Sequence, residues 1–219
     1  MSTKKSTKTR QDDAVARQYD GWARVYDVFW RRYVNQTVPV LQRAACVQPG
    51  EQVLDVACGT GAFERRMATE TPDVELVGVD LAPSMVERAR AKLSGKANVR
   101  FEQADAHDLP FDDASFDAVV CANTFHYFTH PRTVLEETAR VLRPGGRLVL
   151  LDWCRDFWTC RAMDAALRRI DPAYHTCYTL DELTALIGRT ELRRRYTFRY
   201  RFDLVWGIMV VEAVLPGSE

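Results

Sequence analysis

Two glycines, Gly59 and Gly61, follow the apolar run Val53-Leu54-Asp55-Val56-Ala57. A strand that runs into glycines lets the backbone approach a ligand closely at the strand's carboxyl end. Nineteen residues after Gly61, a second apolar run ends in Asp80, whose carboxylate can accept hydrogen bonds from ribose hydroxyls. Together these signals point to a nucleotide-type cofactor. A dinucleotide fingerprint would read G-x-G-x-x-G, with pyrophosphate on the helix N-terminus. Here Glu64 stands three residues after Gly61 and Ala57 stands two before Gly59. A carboxylate in the first helical turn repels pyrophosphate, which makes an NAD-dependent oxidoreductase the weaker alternative. S-adenosylmethionine has no phosphate and carries a sulfonium and an ammonium, and acidic neighbours such as Asp55 suit those cations.

The rest of the chain must position these residues. After Gln48-Pro49-Gly50, short apolar runs alternate with helical patterns. Strands are expected at 52–57, 75–80, 99–103, 116–123 and 147–152. Helices are expected at 62–69, 83–93 and 132–142, with Pro83 and Pro131 suited to their starts and Pro144-Gly145-Gly146 as a turn. Thr179 and Glu182 fit a capping box, with Gly188 after that helix. From Leu192 to Phe202 residue types alternate strictly. Leu192, Arg194, Tyr196, Phe198, Tyr200 and Phe202 would share one face, with arginines and Thr197 on the other. A second strand at 205–214 then pairs antiparallel through a tight turn. The expected fold is α/β, a doubly wound, seven-stranded, mostly parallel Rossmann-like sheet ending in an antiparallel hairpin. Residues 1–11 read as a flexible tail and 12–46 as an N-terminal helical lid. Residues 50–152 form the cofactor-binding core, and 153–219 carry the acceptor-site helices and the hairpin.

Composition narrows the function classes. Of 219 residues, 47% are apolar and 27% charged, which excludes a disordered chain. Lys plus Arg and Asp plus Glu number 30 each, a balance that argues against a nucleic-acid-binding role. No apolar run is long enough for a transmembrane segment, and the N-terminus shows no hydrophobic signal region. Six cysteines without a CxxC spacing read as reduced thiols of a cytoplasmic protein. Cys154, Cys160 and Cys177 match no compact zinc pattern, so no metal is expected.

Four stretches carry a resemblance: VLDVACGTG, VGVDLAPSMVERAR, QADAHDLPFDDASFDAVVCANTFHYF and LEETARVLRPGGRLVL. They make residues 15–152 similar to class I S-adenosylmethionine-dependent methyltransferases, especially the ubiquinone/menaquinone C-methyltransferase group. Ala57 departs from the family's usual first glycine. The resemblance implies that Asp55, Ala57, Gly59 and Gly61 line the methionine end of the cofactor. Asp80 would hold the ribose hydroxyls, and Leu81 and Met85 would lie against the adenine. Asp105 and Ala106 would meet the adenine edge, and Asn123 would sit beside the donor methyl. Tyr19 and Tyr26, in a family-like pattern from Tyr19 to Asp27, would reach the cofactor from the lid.

His126 and Tyr127 follow the fourth strand and Asp152 ends the fifth, where a doubly wound sheet opens its ligand crevice. Their types suit orienting or deprotonating an acceptor. The expected activity is methyl transfer to a small, lipophilic acceptor molecule by direct displacement. A cofactor-binding regulatory or assembly protein without catalysis is the alternative from another class. The arginine face of the hairpin reads as a charged edge or, alternatively, as a peripheral membrane contact.

Overall fold

The chain's computed structural model describes residues 30–217. Residues 30–45 form helix α1, which turns its apolar stripe (Tyr33, Leu41, Ala45) onto the sheet. The alternating core follows: β1 (Gln52–Val56), α2 (Ala62–Glu70), β2 (Glu75–Asp80), α3 (Pro83–Lys92), β3 (Val99–Gln103) and β4 (Phe116–Ala122). A single 3-10 turn (Phe125–Tyr127) leads to α4 (Pro131–Val141) and β5 (Leu142–Trp153). The chain continues through α5 (Trp158–Ile170), α6 (Leu180–Ile187), β6 (Arg193–Arg201) and β7 (Gly207–Val214). Pro83 and Pro131 open their helices, and Thr179 and Glu182 form the complete capping box of α6.

The seven strands run in the order β3-β2-β1-β4-β5-β7-β6. Strands β1 to β5 pair in parallel, and β7 pairs antiparallel with both β5 and β6. The inner parallel strands are largely apolar on both faces because helices cover both, while the edge strand β3 exposes Arg100 and Gln103. Helices α4 and α6 pack on one face through Leu135, Ala139, Leu183 and Ile187. Helices α1, α2 and α3 pack on the other through Leu41, Phe63, Met67 and Ala89. Strand order reverses between β1 and β4, so the loops after these strands diverge and leave a crevice at the carboxyl edge.

Three expectations are corrected at the C-terminal side. Strand β5 begins at Leu142, because Pro144-Gly145-Gly146 forms an irregularity inside it. Phe116 pairs with Leu142 and Ala118 with Arg147, while Gly145 takes φ +83. In β6, Arg194 pairs with Ala213 and Tyr196 with Glu212, so an extra residue bulges between them. The bulge resets the alternation: Leu192 enters the α4/α6 side of the core, whereas Phe198, Tyr200 and Phe202 pack on the α1 side. The connection to β7 is residues 202–206 rather than a tight turn. Asp203 shapes it by accepting the backbone amides of Val205 and Trp206 (2.8 Å each).

Candidate active site

At the end of β1 the backbone turns sharply. Ala57, Gly59 and Gly61 all take positive φ (61, 55 and 76°). The two glycines serve different needs. A Cβ on Gly59 would point into open space, so this residue presents bare backbone to the crevice. A Cβ on Gly61 would sit 3.0 Å from Leu93 and Phe101, so this glycine lets α2 pack against α3 and β3. At the end of β2, Asp80 braces the loop. One carboxylate oxygen accepts the Gly59 amide and the other the Ala82 amide, both at 2.9 Å.

Two hollows meet at Ala57. The larger, about 440 Å³, lies between α1 and the glycine loop, and its walls include Asp55, Gly59, Thr60 and Asn123. Exposed Arg31, Arg65 and Lys92 stand around its mouth. The second, a narrow cleft of about 50 Å³, is lined by Asp80, Leu81, Asp105, Ala106, Tyr127 and Phe128. Asp105 is held there by His107, whose backbone N donates to it at 2.9 Å and whose ring Nδ1 lies at 2.7 Å. The cleft is narrow, mostly apolar and edged by the carboxylates of Asp80 and Asp105, which suits a nucleobase and its ribose. The larger hollow offers a carboxylate within and cations outside, which suits an amino-acid zwitterion. The residues present therefore fit S-adenosylmethionine.

Beneath the loop, Glu64 does not face the crevice as its place in the first turn of α2 suggested. It is fully buried, both carboxyl oxygens are sealed from solvent, and it sits against Asp55. Gly78 on β2 makes the room, since a Cβ there would collide with the Glu64 carboxyl and with Phe101. Burial pushes the Glu64 carboxyl up to about 8. Burial and the neighbouring Glu64 also raise Asp55 well above the usual carboxylate range. The repulsion of pyrophosphate inferred from Glu64 is thus not supplied by this side chain. The narrow cleft and the zwitterion-sized hollow favour the sulfonium cofactor instead.

On the other side of the crevice, β4 ends in Asn123 at φ +60 and the chain enters the 3-10 turn. His126 and Asp152 form a buried pair, with His126 Nδ1 2.7 Å from one carboxylate oxygen. The His126 backbone N–H donates to the other oxygen at 2.9 Å, and the Trp153 N–H donates at 2.7 Å to the oxygen that meets Nδ1. Asp152 therefore fixes the ring's orientation, and the His126 side chain is 2% exposed and lines neither hollow. Trp153 stacks on the imidazole with centroids 4.3 Å apart and planes inclined by 11°. Its Nε1–H donates to the Tyr33 hydroxyl (2.8 Å), which donates to Asn123 Oδ1 (2.6 Å). One connected assembly therefore links α1, the end of β4 and the end of β5.

The structure gathers Asp55, Ala57, Gly59, Asn123, Asp80, Leu81, Asp105 and Ala106 around the two hollows. Met85 is not among them: it is buried on the core face of α3. Tyr127 turns its ring to the narrow cleft and its hydroxyl towards Asp171 (3.4 Å). Tyr19 and Tyr26 lie outside the described residues. Tyr33 and Trp153 were not singled out as site residues, although Tyr33 continues the helical spacing of the aromatic stripe. Cys154, Cys160 and Cys177 are buried, and burial raises all three thiols, Cys154 to about 12. Among the described residues, no group of three His, Cys, Asp or Glu side chains is arranged to hold a metal ion.

Residues 53–146 match a family described as a methyltransferase domain. The chain is 43% identical over 145 residues to a demethylmenaquinone methyltransferase of Deinococcus radiodurans, covering 64% of this chain and 57% of that one. It is 35% identical over 159 residues to the 27-O-demethylrifamycin SV methyltransferase of Amycolatopsis mediterranei, covering 64% and 58%. The chain spans little more than half the length of these curated relatives. A chain from the Haloferax volcanii complex of the Trm112 methyltransferase activator with a methyltransferase superposes with a TM-score of 0.80. It is 22% identical, covers 90% of this chain and 97% of its own length, and shares the fold. Matched motifs and a crevice fitted to the cofactor agree: the chain carries a class I S-adenosylmethionine-dependent methyltransferase domain and is similar to the ubiquinone/menaquinone C-methyltransferases.

Proposed function

We propose that the protein transfers a methyl group to the hydroxyl of a small, lipophilic aromatic acceptor, with His126 as the base that takes the hydroxyl proton. The observation that carries this reading is the buried His126–Asp152 pair at the carboxyl edge of β4 and β5. When bound, S-adenosylmethionine supplies an electrophilic methyl carbon, and displacement requires a nucleophile in line with the carbon–sulfur bond. A phenol is a weak nucleophile at neutral pH, and a positioned base raises its reactivity. Asp152 holds the imidazole ring and stabilises the imidazolium once it forms.

The remaining residues bind and position. Asp80 accepts the ribose hydroxyls, Asp105 and Ala106 meet the adenine edge, and Leu81 and Tyr127 enclose its faces. Asp55 and Asn123 face the methionine ammonium, and the cations at the mouth receive its carboxylate. The rings of Trp30, Tyr33, Trp153 and Trp206 supply an apolar, desolvating surface, with centroids 4.8–5.8 Å apart. The relatives that act on demethylmenaquinone and on a demethylrifamycin support an extended aromatic acceptor. The test is product analysis after incubation with labelled S-adenosylmethionine and a panel of phenols and hydroquinones. Label in an ether methyl, lost with His126→Ala, is the expected result. Label only on carbon, nitrogen or sulfur would overturn the proposal.

A further inference from the structure

The β6–β7 connection and the start of α5 form an unusual surface. Leu204 is 84% exposed, Val205 46% and Trp158 66%. These residues belong to one patch, because the two segments pack together. Phe157 fills the space that a side chain at Gly207 would need, and the Cys160 thiol lies 3.3 Å from the Gly207 carbonyl. The patch is framed by cations. Arg201 lies over the Phe157 ring at 5.9 Å and donates to the Leu204 carbonyl. Arg161 and Arg169 are exposed on the outer side of α5. The acids nearby are spent. Asp164, the only acid in α5, is buried and accepts from Tyr174, Cys177 and Arg168. Asp203 accepts its own loop's amides, and Asp156 pairs with Arg199 at 2.6 Å.

An exposed Trp and two aliphatic side chains framed by arginines that make no ion pair among the described residues match the chemistry of an anionic lipid surface. The aromatic ring enters the headgroup layer, the aliphatics go deeper, and the cations meet lipid phosphates. Position in the fold supports the same partner. Trp206 directly follows Val205 and packs on Trp30, Tyr33 and Trp153, the last of which stacks on His126. A continuous run of rings thus joins the patch to the proposed base. We infer that Trp158, Leu204 and Val205, with Arg161, Arg169 and Arg201, dock the protein on anionic bilayers, from which a lipophilic acceptor reaches the site. The docking of the patch stands by itself; the route for the acceptor rests on the function proposed above.

Co-sedimentation of the full chain with vesicles tests the docking without any acceptor, so its outcome is separate from that of the methyl-transfer assay. One vesicle set is phosphatidylcholine alone; the other contains about one-third phosphatidylglycerol. The wild type is expected to bind the anionic set, to release at high salt, and to leave the neutral set unbound. Trp158→Ser with Leu204→Ser should lower the partition coefficient about tenfold or more. Arg161→Ser with Arg169→Ser, which leaves the apolar tip intact, should do the same. Both variants should keep the wild-type thermal melt and affinity for S-adenosylmethionine. Absence of binding to anionic vesicles, or wild-type partition by both well-folded variants, would overturn the inference. So would a homodimer in light scattering that the Trp158/Leu204 variant dissociates, because the patch would then belong to a second copy of this chain.

Discussion

The two sides of the crevice are built from different materials. The donor side, after β1 and β2, is mainly backbone: positive-φ residues, and the amides of Gly59 and Ala82 tied to one carboxylate, Asp80. The acceptor side, after β4 and β5, consists of side chains: an imidazole, a carboxylate, a stacked indole and a phenol in one bonded assembly. A backbone site recognises what every substrate pair shares, the cofactor. A side-chain site can change with each substitution, which is why specificity and the proposed acid–base chemistry are assigned there. Variants on the two sides should therefore separate cleanly in what they alter.

The largest effect is expected on the acceptor side. Replacing His126 by Ala removes the proposed base, and turnover should fall ~100-fold, the lower end for general-base loss. Calorimetry should show S-adenosylmethionine affinity within error of wild type, because His126 lines neither hollow. A parallel loss of cofactor affinity would show that the pair supports the donor side and would erase the contrast between the two.

Asp80→Ala should act in the opposite sense. It removes a charged acceptor for the ribose and frees the Gly59 amide, costing about 2 kcal/mol of cofactor binding, about thirtyfold in Kd. At saturating cofactor, turnover should return to within a few-fold of wild type. If turnover stays low at saturation, Asp80 positions the methyl as well as the ribose.

How much of each side the sequence disclosed follows from the same contrast. The positions of Asp55, Gly59 and Asp80 at the crevice were legible from a strand end, a glycine pair and an acidic strand terminus, whereas Gly61, expected at the methionine end, lines neither hollow and instead lets α2 pack on α3 and β3. Asp105, Ala106 and Asn123 came from the family resemblance, and the structure places them at the crevice. Met85 failed because one helical position decides between core and cleft, and spacing alone does not fix the helix's rotation. The Tyr33–Trp153 bond was illegible because it joins residues 120 positions apart. The face reversal in β6 depended on one bulged residue that alternation alone does not reveal.

Tyr33→Phe probes that long-range assembly. The change leaves the Trp153 N–H and Asn123 Oδ1 without the hydroxyl between them, in a buried setting. Denaturant unfolding should show a loss of about 1–2 kcal/mol, the cost of orphaning a buried donor. The KM for the acceptor should rise while cofactor affinity changes less, since Tyr33 aligns the indole wall. Unchanged stability would mean that water or a neighbour replaces the hydroxyl and that α1 is tied to the rim by packing alone.

A further effect, on the pH dependence of stability, concerns the floor of the donor side, where Glu64 and Asp55 are buried together. Glu64 titrates at about 8 in the folded chain against 4.5 for the free side chain. Between those values the unfolded state holds fewer protons than the folded one, so stability falls as pH rises through the window. Below about 4.5 this group makes no pH-dependent contribution. Above about 8 the full penalty of a buried carboxylate is present. The slope for one such proton cannot exceed about 1.4 kcal/mol per pH unit. Glu64→Gln keeps the shape and removes the ionisation, so its unfolding free energy should decline less steeply with pH. The variant should gain on the wild type progressively from about pH 5 to about pH 8.5. Urea unfolding of both proteins across that range provides the measurement, and parallel curves would show that Glu64 is not held protonated beneath the glycine loop. Asp55 is raised in the same direction and remains in the variant, so a residual downward slope is expected. A cationic cofactor bound above this floor would favour ionisation of the pair, so the wild type should also release protons when S-adenosylmethionine binds near neutral pH. Calorimetry in buffers of different ionisation enthalpy would detect that release, and Glu64→Gln should diminish it.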